Sequence, residues 1–340
     1  MQYHFMAGGY AEKQENGVNL VRYDPETGFS LLEAYTGFLN PSFVLPHPRL
    51  PILYAVEEAS SGGAVIAAQI ADGKAQILKK ESTGGGDPCH LAFSNDLNRL
   101  YAANYTTGSL AVIRLDNGGM PLERDYVVQH AGAGMHPQRQ EGPHVHFSME
   151  TDGKVFVCDL GLDAVMIYED RDGMLRETGL IPFPPASGPR HLARGPIPGI
   201  IYCAAELSSQ AFTLKERGNG DYEIIQALST LPPDCAEDNT AAAIHFHPGT
   251  RALMVSNRGY DSIAVFPVDE KGLLGDPVVS PCVAQPRDFI CLGDDVIVGS
   301  QRDSLIRAYR LNRETLGLED TGRALSLPKP TCFTLWDWAE

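Results

Sequence analysis

Histidine, arginine and acidic side chains recur in this 340-residue sequence at the borders of short apolar runs. Those at the starts of runs are His90, His144, His146, Arg190, His191, His245 and Arg287. Those at the ends of the runs that follow are Glu57, Glu58, Asn104, Asp159, Glu206, Asn257, Arg258, Gln301 and Arg302. Imidazole and carboxylate groups can take a proton from water, and a guanidinium group can hold an anion. If the fold brings these groups together, they predict acid–base chemistry on an anionic small molecule.

The segment 139–161, RQEGPHVHFSMETDGKVFVCDLG, indicates how such groups are positioned. It predicts a strand, a turn at Asp152 and the following glycine, and a second strand that ends at Asp159. In an antiparallel pair, the start of one strand lies beside the end of its partner. We therefore expect His144, His146 and Asp159 to lie at one end of this hairpin.

Successive side chains along a strand point to opposite faces of the sheet. This alternation places His144 and His146 on one side of their strand and Val145 on the other. The same alternation separates Arg190 from His191. We expect one of that pair to face a shared site and the other to pack between sheets.

The strand–turn–strand phrase recurs, with starts 43 to 55 residues apart. Each unit has room for four short strands punctuated by Gly, Asp, Asn and Pro, which is typical of a propeller blade. With the strands of a blade labelled A (innermost) to D (outermost), strand A is predicted to begin near residues 41, 88, 143, 189, 243, 286 and 330.

The two ends of the chain complement each other. The last unit, KPTCFTLW, supplies only a strand A, and the N-terminus supplies HFMAGG, VNLVRYDP and SLLEAY as strands B, C and D. The sequence therefore predicts an all-β, seven-bladed β-propeller with four antiparallel strands per blade, closed by the C-terminal strand. Residues 1–340 are interpreted as one domain.

Two connections between blades are longer than the others, VVQHAGAGMHPQRQEG and STLPPDCAEDNTAA. Each joins strand D of one blade to strand A of the next, so both lie on the face where strands A begin and strands B end. Long loops on a rigid scaffold often carry function. The first contributes His136, Arg139 and Gln140 to that face.

Composition limits the partners. The net charge of −16 argues against nucleic acid, but it leaves room for a local basic pocket. No apolar run approaches the roughly 20 residues that span a bilayer, and the N-terminus lacks a signal-peptide pattern. The seven cysteines are scattered and show no CxxC spacing, which predicts reduced thiols in a cytoplasmic protein. The sequence does not indicate the oligomeric state.

Several phrases together resemble a known family. RQEGPHVHF, VCDLGLDAV, GPRHL followed by YCAAEL, VSNRGYDSIAVF, the early GGY and VRYDPETG match the seven-bladed lactonase family. This family includes propeller-type 6-phosphogluconolactonases and carboxy-muconate cyclases. The resemblance covers essentially the whole chain. It implies a carboxylic-ester hydrolase that opens a phosphorylated six-carbon aldonolactone in the pentose phosphate pathway without a cofactor.

Lactone hydrolysis needs an activated water, a group that stabilises the oxyanion and groups that orient the sugar. Our hypothesis is that Glu206 with His191 or His144 activates the water, provided that neighbours move their pKa values toward neutrality. The anionic substrate is then expected to bind Arg190, Arg258, Arg287, His146, His90, Arg139, Asn104, Asp159 and Glu58.

Several alternatives remain open at this stage. The scaffold could support a muconate-type lactonising enzyme or a non-catalytic binding platform. His144 and His146 could bind a metal ion with Asp159 or His90, although we predict no metal. Asn104, Asp159 and Asn257 could instead cap the turns between strands B and C.

Overall fold

A computed structural model describes residues 2–218 and 220–338, which form 28 strands and no helix. Accordingly, none of these residues forms a helix that could cross a membrane. The chain begins with β1 (Tyr3–Gly9), β2 (Val18–Asp24) and β3 (Gly28–Tyr35). Six complete blades follow in chain order, and each contributes four consecutive antiparallel strands.

Blade 1 contains β4 (Val44–Pro46), β5 (Ile52–Glu57), β6 (Ala64–Ala71) and β7 (Lys74–Ser82). Blade 2 contains β8 (Pro88–Phe93), β9 (Arg99–Asn104), β10 (Ser109–Leu115) and β11 (Pro121–Gln129). Blade 3 contains β12 (Val145–Thr151), β13 (Lys154–Asp159), β14 (Ala164–Arg171) and β15 (Met174–Pro182).

Blade 4 contains β16 (Pro189–Arg194), β17 (Ile200–Ala205), β18 (Gln210–Glu216) and β19 (Tyr222–Ser229). Blade 5 contains β20 (Thr240–Phe246), β21 (Ala252–Arg258), β22 (Ser262–Pro267) and β23 (Val278–Pro281). Blade 6 contains β24 (Pro286–Leu292), β25 (Asp295–Ser300), β26 (Leu305–Leu311) and β27 (Leu318–Ser326).

The last strand, β28 (Pro330–Leu335), closes the ring. It pairs antiparallel with β1, so the seventh sheet has the order β28-β1-β2-β3. The Thr331 hydroxyl reinforces the closure by donating to the carbonyl oxygen of Ser42 at 2.9 Å. The prediction of a seven-bladed propeller closed by both ends of the chain is confirmed.

Burial along the strands follows their place in the blade. Every residue of β5 (ILYAVE) and β17 (IIYCAA) is buried, whereas β7 and β27 are largely exposed with partly buried positions at intervals. The inner strands are covered on both faces by neighbouring blades, so they are continuous apolar runs. The core consequently lies between blades: Tyr54, Leu91 and Leu100, for example, belong to one cluster shared by blades 1 and 2.

The turn predicted in blade 3 is a two-residue hairpin. Asp152 and Gly153 have φ values of 53° and 75°. Two consecutive positive φ angles are the requirement of a type I′ turn, whose twist matches that of the flanking strands. This turn fixes the register that pairs Val145 with Asp159 at the other end of the hairpin.

Candidate active site

A β-bulge at the start of strand A decides which side chains reach the axis. In β8, β12, β16 and β24 the pairing with strand B slips near the start of the strand. Because a bulge places an extra residue opposite its partner strand, it re-aims that side chain. The slips in β8, β12 and β16 lie at Cys89, His146 and Arg190, and the slip in β24 spans Arg287 and Asp288. All of these except Asp288 belong to the site described below.

Residues at the ends of strands B also contribute to the site. The last paired residues of β9 and β13, Asn104 and Asp159, are fully buried. The residues that directly follow strand B in blades 1, 2 and 4, which are Glu58, Tyr105 and Glu206, line a pocket at the ring axis, and Arg258 at the end of β21 does so as well. In blades 1, 2 and 4 the residue that follows the last strand pair therefore faces the pocket.

This axial pocket has a volume of about 340 Å³, which is ample for a small sugar derivative. Its walls come from several blades and from the loop 130–144; they are Glu58, Asp87, Cys89, Tyr105, Thr106, Arg139, His146, Glu206, Arg258 and Arg287. Three arginines and three carboxylates line it, and a further arginine, Arg190, contacts Glu206 from behind. The pocket is thus slightly cationic within a chain of net charge −16.

Glu206 is the electrostatic centre of the pocket. Its Oε2 accepts from Arg190 Nε at 2.9 Å and lies 2.9 Å from a terminal nitrogen of Arg258. Its Oε1 accepts from Arg139 at 2.5 Å. Since Glu206 is only 3% exposed, these contacts are well shielded from water and strong. One carboxylate thus fixes three guanidinium groups from three different segments of the chain.

This arrangement corrects an expectation about Glu206. Burial opposes its ionisation, but the charges of Arg258, Arg190 and Arg139 outweigh that effect and hold the pKa of Glu206 well below its usual range. Both oxygens of this carboxylate are also engaged by guanidinium groups, which makes it a poor proton acceptor. The prediction of a Glu206 pKa near neutrality is therefore wrong in direction, because the neighbouring arginines favour the charged form.

The His146 ring differs from the Glu206 carboxylate in its hydrogen bonding. Within residues 2–218 and 220–338, neither ring nitrogen hydrogen-bonds to another residue, and Nδ1 is fully buried. Burial, assisted by the charge of Arg190, keeps the pKa of His146 well below its ordinary value. The ring is consequently neutral at pH 7, and Nε2 is left to meet a molecule in the pocket.

Arg287 differs from the other pocket arginines. It forms no ion pair with a carboxylate in the described part of the chain, and its guanidinium carbon lies 5.4 Å from the ring centroid of Tyr10. The Tyr10 hydroxyl in turn donates to Glu58 at 2.8 Å, and Ser42 donates to the other oxygen of Glu58. Arg287 is therefore positioned by an aromatic face and keeps its hydrogen-bond donors for a ligand.

His90 and His191 lie among aromatic rings and do not line the pocket. The His90 ring lies 4.4 Å from Phe43 and 4.1 Å from Phe147, and the centroids of His146 and His191 are 5.1 Å apart. Burial, together with Arg190, lowers the pKa of His90 to about 3. The expectation that His90 holds an anion is wrong, because its ring is neutral and enclosed.

The expected separation of Arg190 from His191 is also wrong. A nitrogen of Arg190 donates to His191 Nε2 at 3.1 Å. Because the bulge interrupts alternation at Arg190, both side chains point into the same cluster. Burial, with the charge of Arg190, lowers the pKa of His191 well below its ordinary value, so this neutral ring supports Arg190 from behind.

Three further candidates lie behind the pocket wall. The His144 ring stacks on Tyr105, with centroids 4.5 Å apart, and its Nδ1 lies 3.0 Å from the Tyr105 carbonyl oxygen. Both oxygens of Asp159 are used internally, by His144 N, Leu162 N and His130. The Asn104 amide donates to Ser109 Oγ at 3.1 Å. None of the three candidates lines the pocket, so the substrate-binding prediction for Asp159 and Asn104 gives way to the turn-capping alternative.

Sequence reasoning missed Tyr105, Thr106, Asp87 and Cys89 in the pocket, and Tyr10 beside it. Tyr105 occupies the same position after strand B as Glu206. Aligning the repeats by strand B therefore places Tyr105 at a predicted site position. Asp87 directly precedes β8, and its carboxylate accepts from Ser60 at 3.2 Å and from Thr106. Tyr10 carries no such signal, because it lies in the loop after the first strand of the chain.

Among the residues that the structure describes, no three His, Cys, Asp or Glu side chains are grouped as metal ligands. The combination considered from sequence is separated in space. Asp159 bonds to His130, and His90 packs against aromatic rings, as described above.

Comparison with known proteins agrees with this architecture. The profile described as "Lactonase, 7-bladed beta-propeller" matches residues 4–335. The chain belongs to this lactonase family. It is 32% identical over 302 residues to the 6-phosphogluconolactonase of Bacillus subtilis strain 168, which covers 86% of each chain. Membership in the lactonase family supports lactone hydrolysis as its general chemistry.

Two solved structures extend the comparison. The periplasmic gluconolactonase of Pseudomonas aeruginosa superposes with a TM-score of 0.91 at 26% identity, covering 98% of this chain and 99% of that one. A Lactobacillus plantarum protein superposes with a TM-score of 0.90 at 28% identity, covering 99% and 100%. The relatives of this lactonase thus include proteins named for a phosphorylated and for an unphosphorylated sugar lactone.

Proposed function

We propose that this protein hydrolyses 6-phosphogluconolactone to 6-phosphogluconate in the pentose phosphate pathway. The observation that carries the proposal is a pocket in which Glu206 fixes three arginines while Arg287 has no carboxylate partner among the residues that the structure describes. The similarity to the Bacillus subtilis enzyme supports the same substrate. All seven cysteines are free thiols, which supports a reducing, cytoplasmic location.

His146 is the group best placed to activate water. Its neutral imidazole accepts a proton as the water oxygen attacks the lactone carbonyl carbon. Burial and the charge of Arg190 oppose the imidazolium that forms, and the nearby anionic Glu206 partly offsets that cost. The tetrahedral intermediate then collapses by breaking the bond to the ring oxygen, and the proton returns to that oxygen. Water and lactone are thereby converted to the open hydroxy acid.

The arginines provide the electrostatic part of catalysis. Arg258 donates to the Ala241 carbonyl oxygen at 3.2 Å and contacts Glu206, and its Nε is buried without a partner in the described residues. A fixed, under-satisfied donor of this kind stabilises a developing oxyanion without reorganising during the reaction. Arg287 is then free to bind the phosphate at the other end of the substrate.

The test compares two substrates, freshly prepared 6-phosphogluconolactone and unphosphorylated gluconolactone, each corrected for spontaneous opening. We expect Arg287→Met to raise KM for the phosphorylated lactone by about 10- to 100-fold, since a hydrogen bond to a charged group contributes roughly 1.5–3 kcal/mol. The unphosphorylated lactone should change little. Arg302→Met, at an exposed side chain on the same face, is the control and should leave both substrates unaffected.

Two outcomes would contradict the proposal. If the wild-type protein accelerates neither lactone over buffer, the hydrolase function is wrong. If Arg287→Met impairs both lactones equally, Arg287 does not recognise the phosphate.

A further inference from the structure

The loop 130–144 is held at both ends by one buried carboxylate. At its start, His130 Nδ1 donates to Asp159 Oδ2 at 2.6 Å. At its end, the backbone N–H of His144 donates to Asp159 Oδ1 at 2.8 Å, and Leu162 N–H donates to the same oxygen at 3.1 Å. Asp159 is fully buried. Every partner is a donor, so an acceptor-only carboxylate suits this position.

The second long loop, 230–239, is held in the same way. Asn257 occupies the position in blade 5 that Asp159 occupies in blade 3. Its Oδ1 accepts from Thr230 Oγ1 at 2.7 Å and from Asn239 at 3.1 Å, and its amide donates to the Thr230 carbonyl oxygen at 2.9 Å. This loop offers both donors and acceptors, which an amide can satisfy and a carboxylate cannot.

Blade 2 provides the contrast. Its connection between strands D and A, residues 83–87, is short, and Asn104 lies at the corresponding position. The Oδ1 of Asn104 is buried and has no hydrogen-bond partner in residues 2–218 and 220–338. Asp159 and Asn257 thus bond to both ends of the long insertions, whereas Asn104, among the residues that the structure describes, forms no such bonds to the short connection before it.

The interior of the loop 130–144 is also ordered by its own contacts. Gln140 is 1% exposed, and its amide donates to the Leu160 carbonyl oxygen at 2.8 Å. The Gln140 side-chain oxygen accepts from His136 N at 2.8 Å. A Cβ placed on Gly161 would lie 2.0 Å from the Gly142 carbonyl oxygen, so the loop end packs directly on the turn after Asp159.

This folded loop delivers one functional side chain to the pocket. Arg139 donates to the Tyr105 hydroxyl at 3.1 Å and to Glu206 at 2.5 Å. Its side chain is 36% exposed, so these bonds alone cannot offset the ordering of a 15-residue segment, which costs roughly 1–2 kcal/mol per residue in backbone entropy. The position of Arg139 therefore depends on the bonds that hold the loop.

We propose that Asp159 is a positioning residue that holds both ends of the loop 130–144 and thereby fixes Arg139 at the mouth of the pocket. The effect of Asp159 on binding of the anionic lactone rests on the function proposed above. Asp159 does not touch the substrate. It determines how tightly the substrate is held by acting through Arg139.

The experiment is a double-mutant cycle with Asp159→Ala, Arg139→Ala and the combined variant, assayed for kcat and KM with 6-phosphogluconolactone. We expect each single substitution to raise KM about 10-fold with a smaller change in kcat. The combined variant should be no worse than either single one. Effects that multiply in the combined variant would overturn the proposal, because Asp159 would then act independently of Arg139.

Two further variants separate positioning from general stability. Asp295 is 2% exposed, accepts from Tyr23 at 2.7 Å and bonds to Arg310 on the opposite face. Asp295→Ala should lower the melting temperature without raising KM. Asp159→Asn should restore KM only in part relative to Asp159→Ala, since the amide oxygen still accepts from His144 N–H but the amide nitrogen cannot accept from His130. If Asp295→Ala raises KM as much as Asp159→Ala does, Asp159 has only a structural role.

Hydrogen–deuterium exchange tests the loop without relying on turnover. Amides of residues 130–144 should exchange faster in Asp159→Ala than in the wild type, and Asp295→Ala should leave them protected. Unchanged protection in Asp159→Ala would overturn the proposal. If the wild-type protein hydrolyses no lactone but the loop responds as expected, the proposed function fails while the positioning role of Asp159 stands.

Discussion

Acid should destabilise this protein through the buried imidazole of His90. Burial and the charge of Arg190 lower the pKa of His90 to about 3, against about 6.5 for an ordinary histidine. Between these values the unfolded chain binds a proton that the native chain does not. His90 therefore costs no stability above pH 6.5, and the native state loses stability as the pH falls from about 6.5 toward 3.

The size of the effect follows from these two pKa values. Lowering the pH from about 7.5 to about 4.5 should reduce the free energy of unfolding by about 3 kcal/mol at this single group. With an unfolding entropy of roughly 2.1 cal/mol/K per residue, 340 residues give about 0.7 kcal/mol/K. The loss then corresponds to about 4 °C in melting temperature.

His90→Phe isolates this contribution. A phenyl ring can occupy the stack between Phe43 and Phe147 and cannot titrate. It loses the weak bond in which Ser148 N–H donates to His90 Nδ1 at 3.4 Å, a cost that should be the same at both pH values. Melting temperatures of wild type and His90→Phe are measured by calorimetry at both pH values and equal ionic strength. His146 and His191 are present in both proteins, so their contributions cancel in the comparison.

The expected result is that acidification lowers the melting temperature of the wild type by about 4 °C more than that of His90→Phe. Phe147→Leu, which alters the same stack without removing a titrating group, is the control and should show the wild-type pH dependence. An equal acid sensitivity of wild type and His90→Phe would refute the reasoning, because His90 would then titrate alike in native and unfolded chains.

Two substitutions test the chemistry of the pocket. Glu206→Gln leaves Arg139, Arg190 and Arg258 without their shared counter-ion and should reduce kcat/KM by about 100- to 1,000-fold, the range for loss of electrostatic preorganisation; full turnover in this variant would contradict the central role of Glu206. His146→Gln should lower kcat by at least about 100-fold with little change in KM. If it keeps the wild-type rate, another group activates the water.

The ring and its closure are predictable from sequence because their signals are local and periodic. Continuous apolar runs such as that of β17 indicate strands covered on both faces, and turn residues separate them at regular intervals. The lone strand at the C-terminus needs three partners, which only the N-terminus leaves unpaired. The face of the site follows from the same argument, since strand order in a meander fixes the end at which each strand begins.

The candidate site is predictable only in part. Glu58, Arg139, His146, Glu206, Arg258 and Arg287 were expected from sequence and line the pocket. His144, Asn104 and Asp159 were expected there and lie behind its wall. For Asn104 the difference is one residue of register, because the next residue, Tyr105, lines the pocket, and alternation alone does not supply that register. Tyr105 was missed for the same reason, since it follows the position occupied by Asn104.

The sequence by itself therefore determined the number of strands, their grouping into blades and the face on which the site lies. Only the tertiary structure decided the charge state of that site. Glu206 stays ionised because Arg139, on a loop, and Arg258, in the next blade, both form ion pairs with it. No local pattern in the sequence brings those charges together. Strand formation depends on neighbouring residues, whereas a pKa depends on every charge that the fold places nearby.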